Sequence, residues 1–421
     1  MKKLLKTLKS EDWVIVFAGA VILAIALLFP NLMPSMPKSL ATGANWLDAG
    51  YIFVFLLALT YLTNFAMGRK VKGVLLSFLT IFVLTLLAQM TAAIPFIKEI
   101  GLEAVFFAVV FGLIISNCFG VPEWLKPAIQ SEFYIKVGIV CLGATILFGE
   151  VVHSGLYALL QALIVVCCVW YFAFHVSRRR FKVDDEMATM LASSVSICGV
   201  SAAIATAGAI KGDGKKLSYI ISLVLVCAIP MMYLMPWIAN LILPLILSDP
   251  TAIQEVAGAW MGGTIDTTGA VVASGSLLGE TAEKTAVIVK SSQNVLLGLA
   301  AFIISLYWAY RGKEGMERPT PAIIWGRFPK FVVGFILASL IFSIFFATDD
   351  FEANRKMAKS MSTTLFSVAF VCIGLETRFK DIFSKENRQP LKAFLTAQGF
   401  NIVVTFVVSL LLFGVIKPWI G

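Results

Sequence analysis

The sequence has few charged residues, almost no histidine and no long polar segment. Only 14% of its 421 residues are charged and 59% are hydrophobic, whereas a soluble domain has about 25% charged residues. This composition excludes an ordinary soluble protein, a disordered chain and a disulfide scaffold. The two histidines, His153 and His175, lack the spacing of metal ligands, which argues against a histidine-based metal site. The chain is therefore expected to be a polytopic membrane protein in the lipid bilayer.

The positive net charge does not point to nucleic acid. The chain carries 34 Lys and Arg against 25 Asp and Glu, a formal net charge of +9. In a soluble protein this excess would suggest an acidic partner. Here the basic residues lie in short loops between apolar segments, where they report the orientation of the membrane helices. We therefore expect no nucleic-acid partner.

Thirteen apolar segments are long enough to enter or cross the membrane, since a helix needs about 20 apolar residues to span a bilayer. They predict an all-α polytopic membrane protein with about 11–13 transmembrane segments in a single domain over 1–421. We place an extra N-terminal helix at 13–33, candidate inverted-repeat cores at about 100–180 and 331–416, and a region of polar motifs at 187–309. The segments are 13–33, 49–67, 73–92, 102–120, 133–149, 154–176, 187–210, 216–242, 251–278, 281–309, 331–347, 360–378 and 393–416.

Basic clusters occupy alternate loops, which places the N-terminus in the cytoplasm. They precede the first segment and follow the second and the sixth, and two more occur in 311–330 and 378–392. The loop KGDGKK at 211–216 fits this pattern only if 187–210 is a re-entrant hairpin. The segment 251–278 would then also be re-entrant, from the opposite side. The sequence leaves crossing and re-entry both open.

Two pairs of segments resemble each other and suggest internal repeats. Val137–Phe148 aligns with Val368–Phe379, with five of the twelve positions identical, and Ile197–Ala207 aligns more weakly with Ile265–Gly275. Under the predicted topology, the first pair runs in opposite directions. Inverted repeats with interrupted helices are typical of secondary transporters, whose substrate lies near the midplane of the membrane.

Two stretches are too polar and too rich in glycine for a helix that faces lipid. They are 193–203 and 262–270. A broken helix in the membrane must line a cavity or bind something, and its free amides attract anions. Close helix packing through small residues, with Gly258 and Gly262 as a GxxxG pair, explains the same pattern. The candidate substrate-binding residues are Ser196, Cys198, Gly199 and Ser201 in the first stretch and Thr264, Thr267 and Thr268 in the second.

A lysine lies deep inside the apolar segment 281–309. Lys290 shares one helical face with Gln293 and Asn294, and Ser291 is adjacent. An ionisable residue at this depth is a functional candidate because its charge is costly there. Asp266 is the nearest acidic candidate, so Lys290 either holds an anionic substrate or pairs with Asp266 and is released by a coupling ion. A permanent structural pair is the alternative.

These motifs resemble those of the YeiH-like sulfate exporter family. The resemblance rests on 196–205, 262–275, the helix with Lys290 and 371–379, and it covers most of the chain from about residue 100. It implies that the protein lies in the bacterial inner membrane and belongs to the sodium/proton antiporter and bile-acid symporter superfamily. It also implies a fold of two parts, a panel and a core, with crossed, interrupted helices. The family has a His-Asp pair where this chain has Ile265-Asp266, so no histidine role is carried over.

The sequence thus favours a secondary active transporter that moves a small anion by alternating access. The anion is sulfate-like or a small organic acid, and export is one direction to expect. Ion coupling is assigned to Asp266 and Lys290, with a proton or sodium as the coupling ion and no other cofactor or metal. The alternatives are a sodium/proton antiporter, a channel or sensor, and an intramembrane enzyme. We expect no enzymatic activity, and a homodimer fits antiporter-like folds.

Overall fold

The computed structural model describes residues 10–29, 35–40, 42–69, 71–99, 104–146, 148–310, 329–346, 351–377, 379 and 388–420. These residues form helices joined by short connections, and no strand occurs among them, which confirms the all-α prediction. The lysines before residue 10, residues 311–328 of the next basic loop and residues 378 and 380–387 lie outside the described ranges.

The helices follow the thirteen predicted segments closely. The main difference is at 133–149, where one helix ends at Gly143 and the next begins at Phe148. The helices are α1 (Glu11–Leu28), α2 (Gly43–Ala66), α3 (Val74–Ala92), α4 (Pro95–Glu99), α5 (Ala104–Ile114), α6 (Ser131–Gly143), α7 (Phe148–Arg179), α8 (Asp185–Ser193), α9 (Val200–Ile210), α10 (Gly214–Ile242), α11 (Pro250–Thr264), α12 (Thr268–Leu278), α13 (Glu280–Tyr310), α14 (Lys330–Phe345), α15 (Glu352–Glu376), α16 (Arg388–Ser409) and α17 (Lys417–Ile420).

Eight helices among the described residues are long and apolar enough to cross a bilayer, namely α1, α2, α3, α7, α10, α13, α15 and α16. Short π-helical turns extend α5, α8 and α16. The chain divides into two compact units, Met1–Val151 with Lys330–Arg378, and Val152–Pro329 with Phe379–Gly421. Unit 2, the second of these, contains both polar motifs and Lys290.

The first polar segment is a re-entrant hairpin. Asp184, just before α8, and Lys216, just after α9, form an ion pair of 2.8 Å. The backbone N–H of Asp213 donates to the carboxylate of Glu186. A broken helix of this length that crossed the membrane would hold its ends roughly 40 Å apart. The loop at 211–216 therefore lies on the same side as the end of α7, as the basic-loop pattern favours.

The second polar segment is a hairpin as well. Asp249 caps the start of α11 by accepting a hydrogen bond from the backbone of Ala252 at 2.8 Å. Gly279 ends α12 with a φ of +121°, and a Cβ atom there would lie 2.9 Å from Oε1 of Gln254 on α11. The start of α11 and the end of α12 are thus adjacent. Re-entrant hairpins therefore replace the crossed, interrupted helices that the family resemblance implied.

Close packing in unit 1, the first unit, follows the stronger sequence repeat. Gly143 and Gly374 are equivalent in the repeat, and a Cβ on either would collide with the backbone of a neighbouring helix, α14 or α5 respectively. Three residues after this glycine in each copy, a backbone carbonyl accepts a hydrogen bond from a serine hydroxyl. Ile146 accepts from Ser339 at 2.6 Å and Thr377 accepts from Ser116 at 2.9 Å. Equivalent residues thus make equivalent contacts.

Glu376, at the end of α15, has a structural role in unit 1. Its carboxylate accepts a hydrogen bond from the backbone N–H of Ser131 at 3.2 Å and another from the Ser131 hydroxyl. It therefore satisfies the start of α6, where a helix has free amides and favours a negative charge.

Candidate functional site

The tip of the first hairpin needs glycine. A π-helical turn, Ser194–Cys198, ends α8, and Gly199 then takes a φ of +59°. A Cβ at this position would lie 2.6 Å from Cγ1 of Val224 and 3.1 Å from the backbone oxygen of Asp266. Glycine is therefore required both by its backbone conformation and by contact with the second hairpin.

The tip of the second hairpin is an extended turn around a buried carboxylate. Ile265 and Thr267 both adopt extended backbone conformations on either side of Asp266. The Thr267 hydroxyl then caps α12 by accepting a hydrogen bond from the backbone of Ala270 at 3.4 Å. Asp266 is only 1% exposed. The turn thus brings an acidic side chain to the point where the two tips meet.

Lys290 joins the two tips. Its ammonium group donates to the backbone oxygen of Ile197 at 2.7 Å, to that of Ile265 at 2.8 Å and to Oε1 of Gln293 at 3.0 Å. Ile197 and Ile265 are the first residues of the weaker sequence repeat. Broken helices leave such carbonyls without backbone partners, and in a buried site each needs another donor. One lysine on α13 therefore supplies the missing hydrogen-bond donor at both helix breaks.

Amide side chains satisfy the other freed carbonyls. Gln293 donates from Nε2 to the oxygen of Gly263 at 2.9 Å. From α16, Gln398 donates to the oxygen of Thr264 at 2.9 Å, and Asn401 donates to the oxygens of Val195 at 3.1 Å and Thr264 at 3.2 Å. The tips are thus held by α13 from one side and α16 from another.

The sequence reasoning missed Gln398 and Asn401. Together with Thr405, which donates to Oδ1 of Asn401 at 2.8 Å, they are spaced three and four residues apart in the apolar segment 393–416. This spacing places them on one helical face. A polar face in an apolar helix was therefore the signal that would have found them.

Several buried oxygen atoms at the tips have no hydrogen-bond partner within the described ranges. Both carboxylate oxygens of Asp266 are among them, together with Oγ1 of Thr264, Oδ1 of Asn294 and Oε1 of Gln398. Lys290 acts electrostatically on Asp266, although the protons of its ammonium group point to other oxygens. Buried acceptors without donors are costly and mark a place where a proton or a cation would be stabilised.

Donor groups are available at the start of α9. Gly199 gives this helix no side-chain cap, so its first amides have no partner from that residue. Val200 and Ser201 are only half-buried, whereas their neighbours Cys198 and Ala202 are buried. The uncapped N-terminus, with a hydroxyl beside it, has the character of an anion-binding position.

The remaining predicted residues have different surroundings. Ser196 donates its hydroxyl to the oxygen of Ala192 at 2.7 Å, within its own helical turn. Cys198, Thr268 and Ser291 are buried, at 5%, 6% and 5% exposure. Gly262 lets α11 approach α13, because a Cβ there would lie 2.6 Å from the oxygen of Ala286. Close helix packing through small residues, the alternative explanation for the glycine-rich stretches, therefore also occurs here.

No group of three or more His, Cys, Asp or Glu side chains that could hold a metal ion occurs within the described ranges. The side chains at the tips supply one carboxylate, one ammonium group, amides and hydroxyls.

Comparison with known proteins places the chain in a family. A family model described as conserved hypothetical protein 698 matches residues 73–393. A UPF0324 membrane protein of Rhodopirellula baltica is 37% identical over 386 residues, which cover 89% of this chain and 70% of that protein. No solved structure is significantly similar.

Two further relatives cover different shares of the chain. A UPF0324 membrane protein of Nitratidesulfovibrio vulgaris is 37% identical over 84% of the chain, but the match spans only 62% of that longer protein. The UPF0324 inner membrane protein YeiH of Escherichia coli is 23% identical over 76% of the chain and 89% of its own length. The chain therefore belongs to the family described as conserved hypothetical protein 698, with these UPF0324 membrane proteins as relatives.

Proposed function

We propose that the protein is a secondary active transporter that moves a small anion across the bacterial inner membrane by alternating access. The observation that carries this proposal is the meeting of two re-entrant hairpin tips at Asp266 and Lys290. Irregular backbone at membrane depth is tolerated where it is buried in protein or lines a cavity, and transporters place substrate and ion sites at such breaks. We propose no catalytic activity.

The geometry supports a small anion as substrate. The helices α9 and α12 both begin at the tips, so the positive ends of their dipoles converge there. The hydroxyls of Ser201 and Thr268 lie in the first turns of these helices, and α9 has no side-chain cap. A sulfate-like ion or a small carboxylic acid would accept hydrogen bonds from amides and hydroxyls of this kind.

Asp266 is the proposed coupling group. Its carboxylate has no hydrogen-bond donor within the described ranges, so its negative charge is costly unless a proton or a sodium ion neutralises it. A neutralised Asp266 would no longer offset the charge of Lys290 and would no longer repel an incoming anion. Binding of the coupling ion and of the anion would therefore favour each other.

Reconstituted protein tests the proposal. Vesicles loaded with unlabelled sulfate or a dicarboxylate should accumulate the labelled anion by counterflow, and a proton or sodium gradient should alter the rate. Asp266→Asn and Lys290→Ala should abolish gradient-dependent flux. Asp249→Asn and Lys284→Ala serve as controls, since Asn still caps α11 and Lys284 lies near the start of the same helix as Lys290. Normal flux in both tip variants would overturn the site.

A sodium/proton antiporter is the second candidate, and a specific observation favours it. The unpartnered atoms at the tips include the carboxylate oxygens of Asp266 and the amide oxygens of Asn294 and Gln398, which are ligands suited to a small cation. Addition of sodium to vesicles with a preset pH gradient separates the two candidates. Dissipation of that gradient without any anion would favour the antiporter and contradict anion transport as the main activity.

A further inference from the structure

A second feature of unit 2 is a charged cavity at the base of the first hairpin, at the opposite end of α8 and α9 from the hairpin tips. Its volume is about 690 Å³, and it lies between the end of α7 and the starts of α8, α10 and α16. Three of these helices are long enough to cross the membrane, so the cavity lies where membrane helices reach the aqueous boundary. The charged residues that line it are Arg180, Lys182, Asp184, Lys215 and Lys216.

The cavity carries an excess of positive charge. Its single acidic side chain, Asp184, already accepts a hydrogen bond from Lys216 at 2.8 Å. Arg180, Lys182 and Lys215 form no ion pair with a carboxylate within the part of the chain that the structure describes, although Asp213 acts electrostatically on Lys215. The cavity therefore has more positive than negative side chains, which favours an anionic ligand.

The backbone holds these cations in place. Lys182 has a φ of +57°, an uncommon conformation for a residue with a side chain, and is one of two such residues in the described ranges. The turn around it is closed by hydrogen bonds from the N–H of Phe181 to the oxygen of Val176 at 3.3 Å and from the N–H of Val183 to the oxygen of Ser177 at 2.9 Å. Arg180 and Lys182 are therefore presented by a fixed turn.

The rest of the cavity wall is apolar apart from the exposed side chain of Gln389. Phe181, Val183, Met187 and Tyr219 line it beside the cations, and all but Phe181 are buried. A soluble anion needs donors on several sides and gains nothing from such a wall. A phospholipid combines a negative phosphate with apolar chains, and basic pockets between membrane helices bind such headgroups.

We propose that this cavity binds the phosphate of an anionic phospholipid. The basic loops predict that it opens on the cytoplasmic side, where the leaflet is negatively charged. Arg180, Lys182 and Lys215 contact the phosphate, and the apolar wall receives the glycerol and the first carbons of the chains. The lipid site is independent of the transported substrate and of the tips.

Native mass spectrometry of the full chain in detergent tests the site. Dioleoylphosphatidylglycerol is titrated against dioleoylphosphatidylcholine, and the fraction of protein with one bound lipid is measured. A basic side chain near a lipid surface contributes about 1 kcal/mol, or roughly five-fold in affinity. Arg180→Gln and Lys215→Gln should each weaken binding of the anionic lipid about five-fold, and their combination with Lys182→Gln should remove its preference over phosphatidylcholine.

Arg179→Gln is the matched control, because Arg179 is exposed beside Arg180 but does not line the cavity. It should change the affinity by less than about two-fold. An equal loss in Arg179→Gln and Arg180→Gln would overturn the site in favour of general surface charge. A melting temperature within about 2 °C of wild type would show that each variant is folded.

Inorganic phosphate and sulfate form the second arm of the test. If either displaces the bound lipid at micromolar concentration, or binds with the same dependence on Arg180 and Lys215, the ligand is a soluble oxyanion and the lipid proposal is wrong. Equal binding of phosphatidylcholine and phosphatidylglycerol by the wild-type protein would also overturn it. Retention of the anionic lipid in the presence of millimolar phosphate supports it.

Discussion

The sharpest stability prediction concerns Lys290→Met. Methionine keeps an unbranched chain of similar length but has no N–H group to donate. The substitution leaves the oxygens of Ile197 and Ile265 and Oε1 of Gln293 without this donor. A buried acceptor that loses its donor costs about 1–3 kcal/mol. We therefore expect Lys290→Met to lower the free energy of unfolding by about 3 kcal/mol or more.

Asp266→Asn is expected to behave differently, although the residue is equally buried. Neither carboxylate oxygen accepts a hydrogen bond within the described ranges, so the amide loses none. The change leaves the charge of Lys290 without a counter-charge, but the ammonium group keeps its three oxygen acceptors, so Asp266→Asn should destabilise the protein less than Lys290→Met does. The double variant Asp266→Asn/Lys290→Met has neither buried charge, so it should be more stable than Lys290→Met alone.

Thermal unfolding in detergent, followed by tryptophan fluorescence, measures these differences. A loss of about 3 kcal/mol corresponds to a decrease of roughly 6 °C or more in melting temperature for a unit of this size. Lys284→Met is the control, because Lys284 lies on the same helix and its ion pair with Glu280, at 3.6 Å, is partly exposed. The reasoning is refuted if Lys290→Met has the same melting temperature as Lys284→Met. It is also refuted if the melting temperature of Asp266→Asn is as low as that of Lys290→Met.

Three further predictions concern the hairpins. Gly199→Ala should lower the melting temperature by several degrees, since its φ is +59°, whereas Gly155→Ala, with open space around its Cβ position, should not lower it; equal effects would contradict the strain argument. Asn401→Leu should abolish transport and destabilise the protein by about 2 kcal/mol, measured by flux and by melting, because two carbonyl oxygens lose a donor. Burial raises the pKa of Asp184, but hydrogen bonds from Lys216 and from the backbone of Met187, with the charge of Lys216, together outweigh it, so the pKa is lowered overall. Its stabilisation is therefore fully present above its unfolded pKa of about 4 and is lost as the pH falls through the lower folded pKa, so Asp184→Asn should lower the melting temperature slightly at pH 7 and progressively less as the pH falls below about 4.

Much of the architecture can be predicted from the sequence because segments that enter a membrane must be largely apolar. Apolar runs located the helices, and glycine with serine or threonine located both breaks. The sequence could not decide between crossing and re-entry for 187–210, because hydropathy carries no information about direction. The decisive contact joins Asp184 to Lys216, and such a contact exists only in the folded chain.

The charged residues of the site were identified from the sequence, but the roles they have in the structure were not. Lys290 stood out because its charge is costly in an apolar segment, and it was expected to hold a substrate or to pair with Asp266. Its hydrogen bonds go instead to backbone oxygens 93 and 25 residues away, which no spacing in the sequence reveals. Gln398 and Asn401 carry no charge, and a search for charges passes over them.

The shared lysine constrains how the tips can move. Its ammonium group binds one oxygen from each hairpin, and Asn401 likewise binds both Val195 and Thr264. Movement of one tip away from the other would leave buried carbonyls without donors, at about 1–3 kcal/mol for each. Movement of both tips together with α13 and α16 would break none of these bonds. We therefore expect the two tips and these helices to move as one rigid body during transport. A change in charge at Asp266 would alter the free energy of solvation of that body.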